Sequence, residues 1–128
     1  MKRAARGDSG SAIVDFVLVG CLVTLLFAGV VQLALVQHIR NTLTDCASEG
    51  ARLGALADRT PADGAVRTRE LVKVSLASRF ADDVEAEVVV IDGIEMVEVR
   101  VTAPLPLVGL LGPADALTVR GHAMREQP

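Results

Sequence analysis

The chain changes its hydrophobic pattern three times. From Phe16 to Val36 apolar side chains are nearly continuous, with Thr24 and Gln32 the polar exceptions. That run of about 21 residues is long enough to cross the hydrocarbon layer as a helix. Beyond it the apolar positions narrow to a stripe, with Ile39, Leu43, Cys46, Ala47, Gly50, Leu53, Gly54 and Ala57 at three- and four-residue steps. Arg40, Asn41, Asp45, Glu49 and Arg52 occupy the other face. No proline interrupts Ser11 to Arg59, so one helix of about 45 residues is expected, with Gly20, Gly29, Gly50 and Gly54 its weak points.

Thr60-Pro61-Ala62-Asp63 reads as a helix start, Thr60 as cap and Pro61 at the first helical position. The segment from about Ala65 to Phe80 is expected to be amphipathic, with Val72, Leu76 and Phe80 on one face and Leu71 and Val66 beside it. Then the period drops to two. Val84–Ile91 and Ile94–Ala103 flank Asp92-Gly93, the strongest short hairpin signal. A two-residue turn pairs Ile91 with Ile94. Glu85 then faces Arg100, and Glu87 faces Glu98 with Arg100 on the diagonal. The same register puts Val84, Ala86, Val88 and Val90 on one face with Val97, Val99 and Val101, which is the expected core face. Pro104 and Pro106 end the second strand. Leu105 to Leu111 reads as an apolar loop. Leu117 to Met124 is the expected third strand, with Leu117, Val119 and Ala123 inward. The fold class is therefore α+β: a long N-terminal transmembrane helix extending into a small domain with an amphipathic helix and an antiparallel sheet of about three strands.

Composition narrows the function. The chain has 128 residues, a formal net charge of -3 and 2% aromatic side chains, against the basic face and stacking rings of a nucleic-acid binder. Lys2, Arg3 and Arg6 precede the apolar run, and fewer positive groups follow it closely. The positive-inside rule puts the N-terminus in the cytoplasm and the rest outside. The expected divisions are 1–10, a cytoplasmic basic leader open to cleavage; 11–37, the transmembrane helix; 38–59, its exported continuation; and 60–128, a small exported α+β domain. His38 and His122 have no ligand cluster at metal spacing. No phosphate loop or nucleophile elbow occurs. We expect no enzyme, cofactor, metal or small-molecule substrate. Cys21 and Cys46, about 37 Å apart on one helix, are out of disulfide reach of each other.

Asp15 stands just inside the membrane-length helix, immediately before Phe16. An ionised group there is expensive without a partner, and a second copy of a similar helix is the expected one. Gly20, Thr24 and Ala28, four apart, permit close helix contact. Gln32 adds a group able to hydrogen-bond across helices.

Ser11-Ala12-Ile13-Val14-Asp15-Phe16, the apolar helix, then Asn41, Ala47 and Glu49-Gly50-Ala51-Arg52 resemble the TadE-like proteins, pseudopilins or minor pilins of the tight-adherence (Flp-type) pilus system. The similarity covers roughly the first 57 residues. Asp15 stands where that family usually has Glu, and Gly20 where Pro is common. The resemblance implies cleavage by a prepilin peptidase between Gly10 and Ser11. Asp15 becomes the fifth mature residue, placed to meet the new amine of a neighbouring subunit. It also implies a bacterial cytoplasmic-membrane protein, extending to the pilus or cell surface. Its partners are then membrane lipid, other pilin-like subunits and the pilus assembly platform, in adhesion and secretion. Two alternatives compete. Leu18-Val19-Gly20-Cys21 is similar to a lipobox, which would make a lipoprotein processed at Cys21. An uncleaved single-pass membrane protein with an exported interaction domain shares the topology.

Overall fold

The computed structural model describes residues 8–105 and 116–127. Along the chain lie α1 (Asp8–Ala55), α2 (Pro61–Ser75), a 3-10 turn (Ser78–Phe80), β1 (Asp83–Ile91), β2 (Ile94–Pro104) and β3 (Ala116–Met124). The strands form one antiparallel sheet in the order β1-β2-β3. The expected α+β class is what the chain adopts, with α1 a candidate membrane span. The basic leader residues Lys2, Arg3 and Arg6, and the loop from Pro106 to Leu111, lie outside the described residues. The chain divides into two units, Met1–Ala34 and Leu35–Pro128.

In the first unit every described residue from Asp8 to Val31 is exposed. The exposed side chains include Phe16, Leu22, Leu26 and Phe27. A helix apolar all round with nothing packed on it is suited to lipid rather than water.

The second unit is built on the rest of α1. Its buried residues Ile39, Leu43, Cys46, Ala47, Gly50, Ala51, Gly54 and Ala55 form the core stripe. Leu53 is half-buried and Ala57 exposed, so the stripe runs slightly differently from its expected course. It joins Val72 of α2, Phe80, and Val84, Val97, Val99, Val101, Leu117 and Val119 of the sheet. The helices thus cover one face of the sheet.

The small residues of the stripe determine how closely its neighbours come. A Cβ on Gly50 would collide with Thr68 Oγ1 and come within 2.6 Å of the Gly64 carbonyl oxygen. The Thr68 hydroxyl, fully buried, donates to Gly64 O at 2.9 Å and reaches Cys46 O at 3.4 Å. It therefore ties α2 to α1 as well as to itself. One turn earlier on the same face of α1, Gly121 of β3 lies against the backbone of Ala47 and Ser48, again with no room for a Cβ.

α2 begins as expected. Thr60 and Asp63 form a reciprocal capping box: Asp63 Oδ2 accepts from Thr60 N at 2.8 Å, and Thr60 Oγ1 from Asp63 N at 3.3 Å. These bonds to Thr60 hold the Asp63 carboxyl below its usual range. The helix is shorter than expected and ends at Ser75. Leu76 leaves helical geometry at φ -127°, ψ -93°, and Ala77 is extended. The following 3-10 turn carries Phe80 into the core. Val66, expected beside the apolar face, is 52% exposed. The close approach of α2 to α1 favours the small Gly64, Ala65 and Thr68 inside instead.

The hairpin has the expected register, with Ile91↔Ile94, Glu87↔Glu98, Glu85↔Arg100 and Val84↔Val101 paired. Asp92 and Gly93 have φ of 53° and 80°, the two positive values of a type I′ turn. β3 is antiparallel to β2, with Val101↔Val119 and Val99↔Gly121. The expected core face is buried only in part. Val84 is buried and Ala86 half-buried, but Val88 and Val90 are 39% and 68% exposed, because the hairpin runs past the helices beneath it.

Replacing Gly121 by Val tests this packing. The added atoms meet α1 backbone, which cannot swing aside as a side chain can, so we expect a loss of at least about 1–3 kcal/mol. Val74→Thr, at a position 87% exposed, should stay within about 0.5 kcal/mol of the parent. Urea unfolding of the detergent-solubilised full chain measures both.

Candidate assembly surfaces

Three surfaces carry the residues singled out in the sequence. The first is the exposed helix of the N-terminal unit. Gly10 and Ser11 lie in the first turns of α1, and Asp15 is exposed one turn further on. Gly20 faces open space. At 100° per residue, Gly20, Thr24 and Ala28 fall on the side of the helix away from Asp15. Leu22, Leu26 and Leu33 fall on its own side. The carboxylate and the small-residue stripe therefore lie on opposite sides of the helix. Thr24 Oγ1 donates to Gly20 O at 2.8 Å, so its proton is already satisfied within the helix. Gln32 is half-buried. Cys21 is exposed in mid-helix, with helix continuing well beyond it.

The second surface surrounds Glu49-Gly50-Ala51-Arg52. The four residues divide by role. Gly50 and Ala51 are buried where α2 packs, whereas Glu49 and Arg52 are exposed. A cavity of about 380 Å³ lies beside them, lined by Asp45, Cys46, Ser48, Glu49, Arg52 and Leu71. Burial pushes the Cys46 thiol up, with a smaller push from Asp45, so Cys46 is a neutral thiol near pH 7 rather than a nucleophile.

The third surface is the sheet face opposite the helices. It is charged and ordered across the strands. Glu98, 7% exposed, sits in the middle. Its Oε1 accepts from Arg100 Nη2 at 2.8 Å and lies 3.9 Å from Arg120 Nε. Its Oε2 is 2.7 Å from His122 Nε2. Arg100 also reaches Glu85 at 3.7 Å and Glu87 at 3.5 Å. Desolvation raises the Glu98 pKa, but the hydrogen bonds from His122 and Arg100 outweigh it and leave the carboxyl below the usual glutamate range. Arg100, expected on the diagonal of the unfavourable Glu87–Glu98 pair, reaches both carboxylates. Sequence reasoning missed the parts of His122, Gly121 and Thr68. A glycine at an inward position of a strand, between Val119 and Ala123, was the available signal for Gly121. Thr68 had none, because its burial depends on how closely α2 approaches α1. Among the described residues no group of three or more metal-ligating side chains occurs.

These features define a small α+β domain joined to an apolar helix long enough to anchor it in a membrane. A family model described as TadE-like protein matches residues 10–52, the family to which the sequence shows its resemblance. The match begins at Gly10 and ends at Arg52, so it covers the apolar helix and the packing stripe through Glu49-Gly50-Ala51-Arg52. No curated protein and no solved structure matches the chain.

Glu98 gives a pH-dependent prediction. A carboxyl held low in the folded state contributes stability above its unfolded pKa, about 4.3, and loses it as pH falls through the folded value. Glu98→Gln should therefore destabilise the chain near pH 7, by about 1–3 kcal/mol. Its deficit should shrink steadily below about pH 4. Urea midpoints of parent and variant at pH 7, 4 and 3 measure the convergence.

Proposed function

We propose that the chain is a non-enzymatic, pilin-like component of a tight-adherence pilus system. It is held in the bacterial cytoplasmic membrane and assembles through its N-terminal helix. The observation that carries this reading is the exposed Asp15, one turn beyond Gly10–Ser11, on an apolar helix inside the segment matched by the TadE-like family. A carboxylate within a spanning helix costs up to about 3 kcal/mol on insertion scales, the value at the helix centre. Cleavage between Gly10 and Ser11 by a prepilin peptidase would create an α-ammonium on every copy, four residues or about 6 Å along the helix from Asp15. Ammonium and carboxylate of neighbouring copies would then offset each other in lipid, where neither is stable alone.

In this reading residues 1–10 are the cytoplasmic leader and 11–37 cross the membrane. Residues 38–59 and 60–128 are exported, reaching the pilus or cell surface. Gly20, Thr24, Ala28 and Gln32 form a second helix contact, with other pilin-like subunits or the assembly platform. Glu49 and Arg52, exposed beside the buried Gly50 and Ala51, are free to meet such partners. The small-residue face points away from Asp15, so a copy has contacts for two neighbours, as a filament requires.

N-terminal sequencing of the chain recovered from membranes tests the processing step. A start at Ser11 is expected. A blocked Cys21 would establish the lipoprotein, and an intact Met1 or Lys2 start the uncleaved anchor. Asp15→Ala should insert at least as well as the parent, since the charge is gone, while pilus output falls at least tenfold. Normal piliation would remove the pairing role.

A further inference from the structure

Among the described residues no further strand pairs with β1 or β3, and these two edges carry opposite charge. Arg69 Nη2 donates to Val84 O at 2.7 Å, which shows that the even-numbered residues of β1 turn their backbone groups away from β2. Ala86, Val88 and Val90 therefore offer their N–H and C=O groups along the free edge of β1. Arg125 N donates to Glu95 O at 3.0 Å, so odd-numbered residues of β2 point toward β3. By the same alternation the backbone groups of Thr118, Arg120 and His122 face outward from β3. Among the described residues Arg69 is the only side chain hydrogen-bonded to either edge. Exposed edges of this kind are templates for a further strand.

The charges are arranged level by level. The register places Glu85, Arg100 and Arg120 on one row across the outer face, and Glu87, Glu98 and His122 on the next. Arg100 and Glu98 balance each other in the middle at 2.8 Å. The β1 edge is left acidic, with Glu85 and Glu87 side chains 71% and 60% exposed, and the β3 edge basic, with Arg120 57% exposed.

We propose that β1 of one copy adds to β3 of a second copy as a parallel strand, extending the sheet by sideways translation without stagger. β1 and β3 run in the same direction, each being antiparallel to β2. Translation then sets the neighbour's Glu85 beside Arg120 and its Glu87 beside His122. The alternation also fits. His122, whose backbone points outward, bonds Ala86 and Val88 on either side of Glu87, as parallel pairing requires. Val88 and Val90, left exposed by their own helices, gain the neighbour's sheet beside them. The half-buried Ala123 stands level with Val88. Two-fold pairing of β1 with β1 would instead oppose four glutamates, and β3 with β3 would oppose the basic rows. The favoured contact joins two different surfaces, so it does not close on itself and propagates as a row. It stands apart from the reading of the N-terminal helix.

The test uses full-length chains in membranes on a Cys21→Ala background. Glu85→Cys and Arg120→Cys chains, differently tagged, are expressed singly and together and then oxidised. The expected result is a mixed disulfide-linked dimer at least fivefold above either single expression. A chain carrying both cysteines should give a ladder of multimers. Glu87→Lys should lower the mixed product severalfold by setting a cation on the edge that meets Arg120. An absent mixed product from folded, inserted chains overturns the proposal. So does equal self-linking of either single variant, which would mean two-fold pairing. N-terminal sequencing of the same samples scores processing separately, so edge pairing in unprocessed chains would still support this contact.

Discussion

Everything in the C-terminal unit depends on two backbone approaches to one face of α1. At Gly50 the second helix comes close enough for Thr68 to bond across to Cys46. At Gly121 the third strand lies on the backbone of Ala47 and Ser48. Neither approach leaves room for a Cβ. Among the described residues the fully buried bulk of this small unit's core comes from valines, Ile39, Leu43, Leu117 and Phe80. The compensation for few large side chains is short interlayer distance, because dispersion falls away steeply as atoms separate.

That constraint gives Glu49-Gly50-Ala51-Arg52 a physical meaning. The two small residues are the notch that accepts α2, and the two charged ones stay in solvent where the helix turns outward. A pattern of this kind combines a packing requirement with solvated flanks, and needs no catalytic reason. The contrast with the first unit is one of solvent. There the helix exposes apolar side chains on all sides, and the carboxylate next to its apolar run, Asp15, is the position with most to gain from a neighbour.

The hairpin, its register, the start of α2 and the long first helix were legible in the sequence, because each rests on local chemistry. Asp92-Gly93 can adopt two positive φ values, Thr60 and Asp63 can cap each other, and alternation by two has only one register across a two-residue turn. The Glu98 cluster was half legible: its neighbours on β2 and β1 followed from the register. His122 needed the pairing of β3, which joins residues 24 apart in the chain.

The sequence by itself determined which segments are helix and strand, which face of each is apolar, and that a carboxylate stands next to a membrane-length run. Those properties follow from periods of 3.6 and 2 and from turn chemistry, all local to a few residues. Only the tertiary structure decided that α2 stops at Ser75, that Thr68 is buried while Val66 is not, and that the sheet's outer edges have opposite charge. Each of these depends on how near one backbone comes to another, a distance set jointly by residues far apart along the chain.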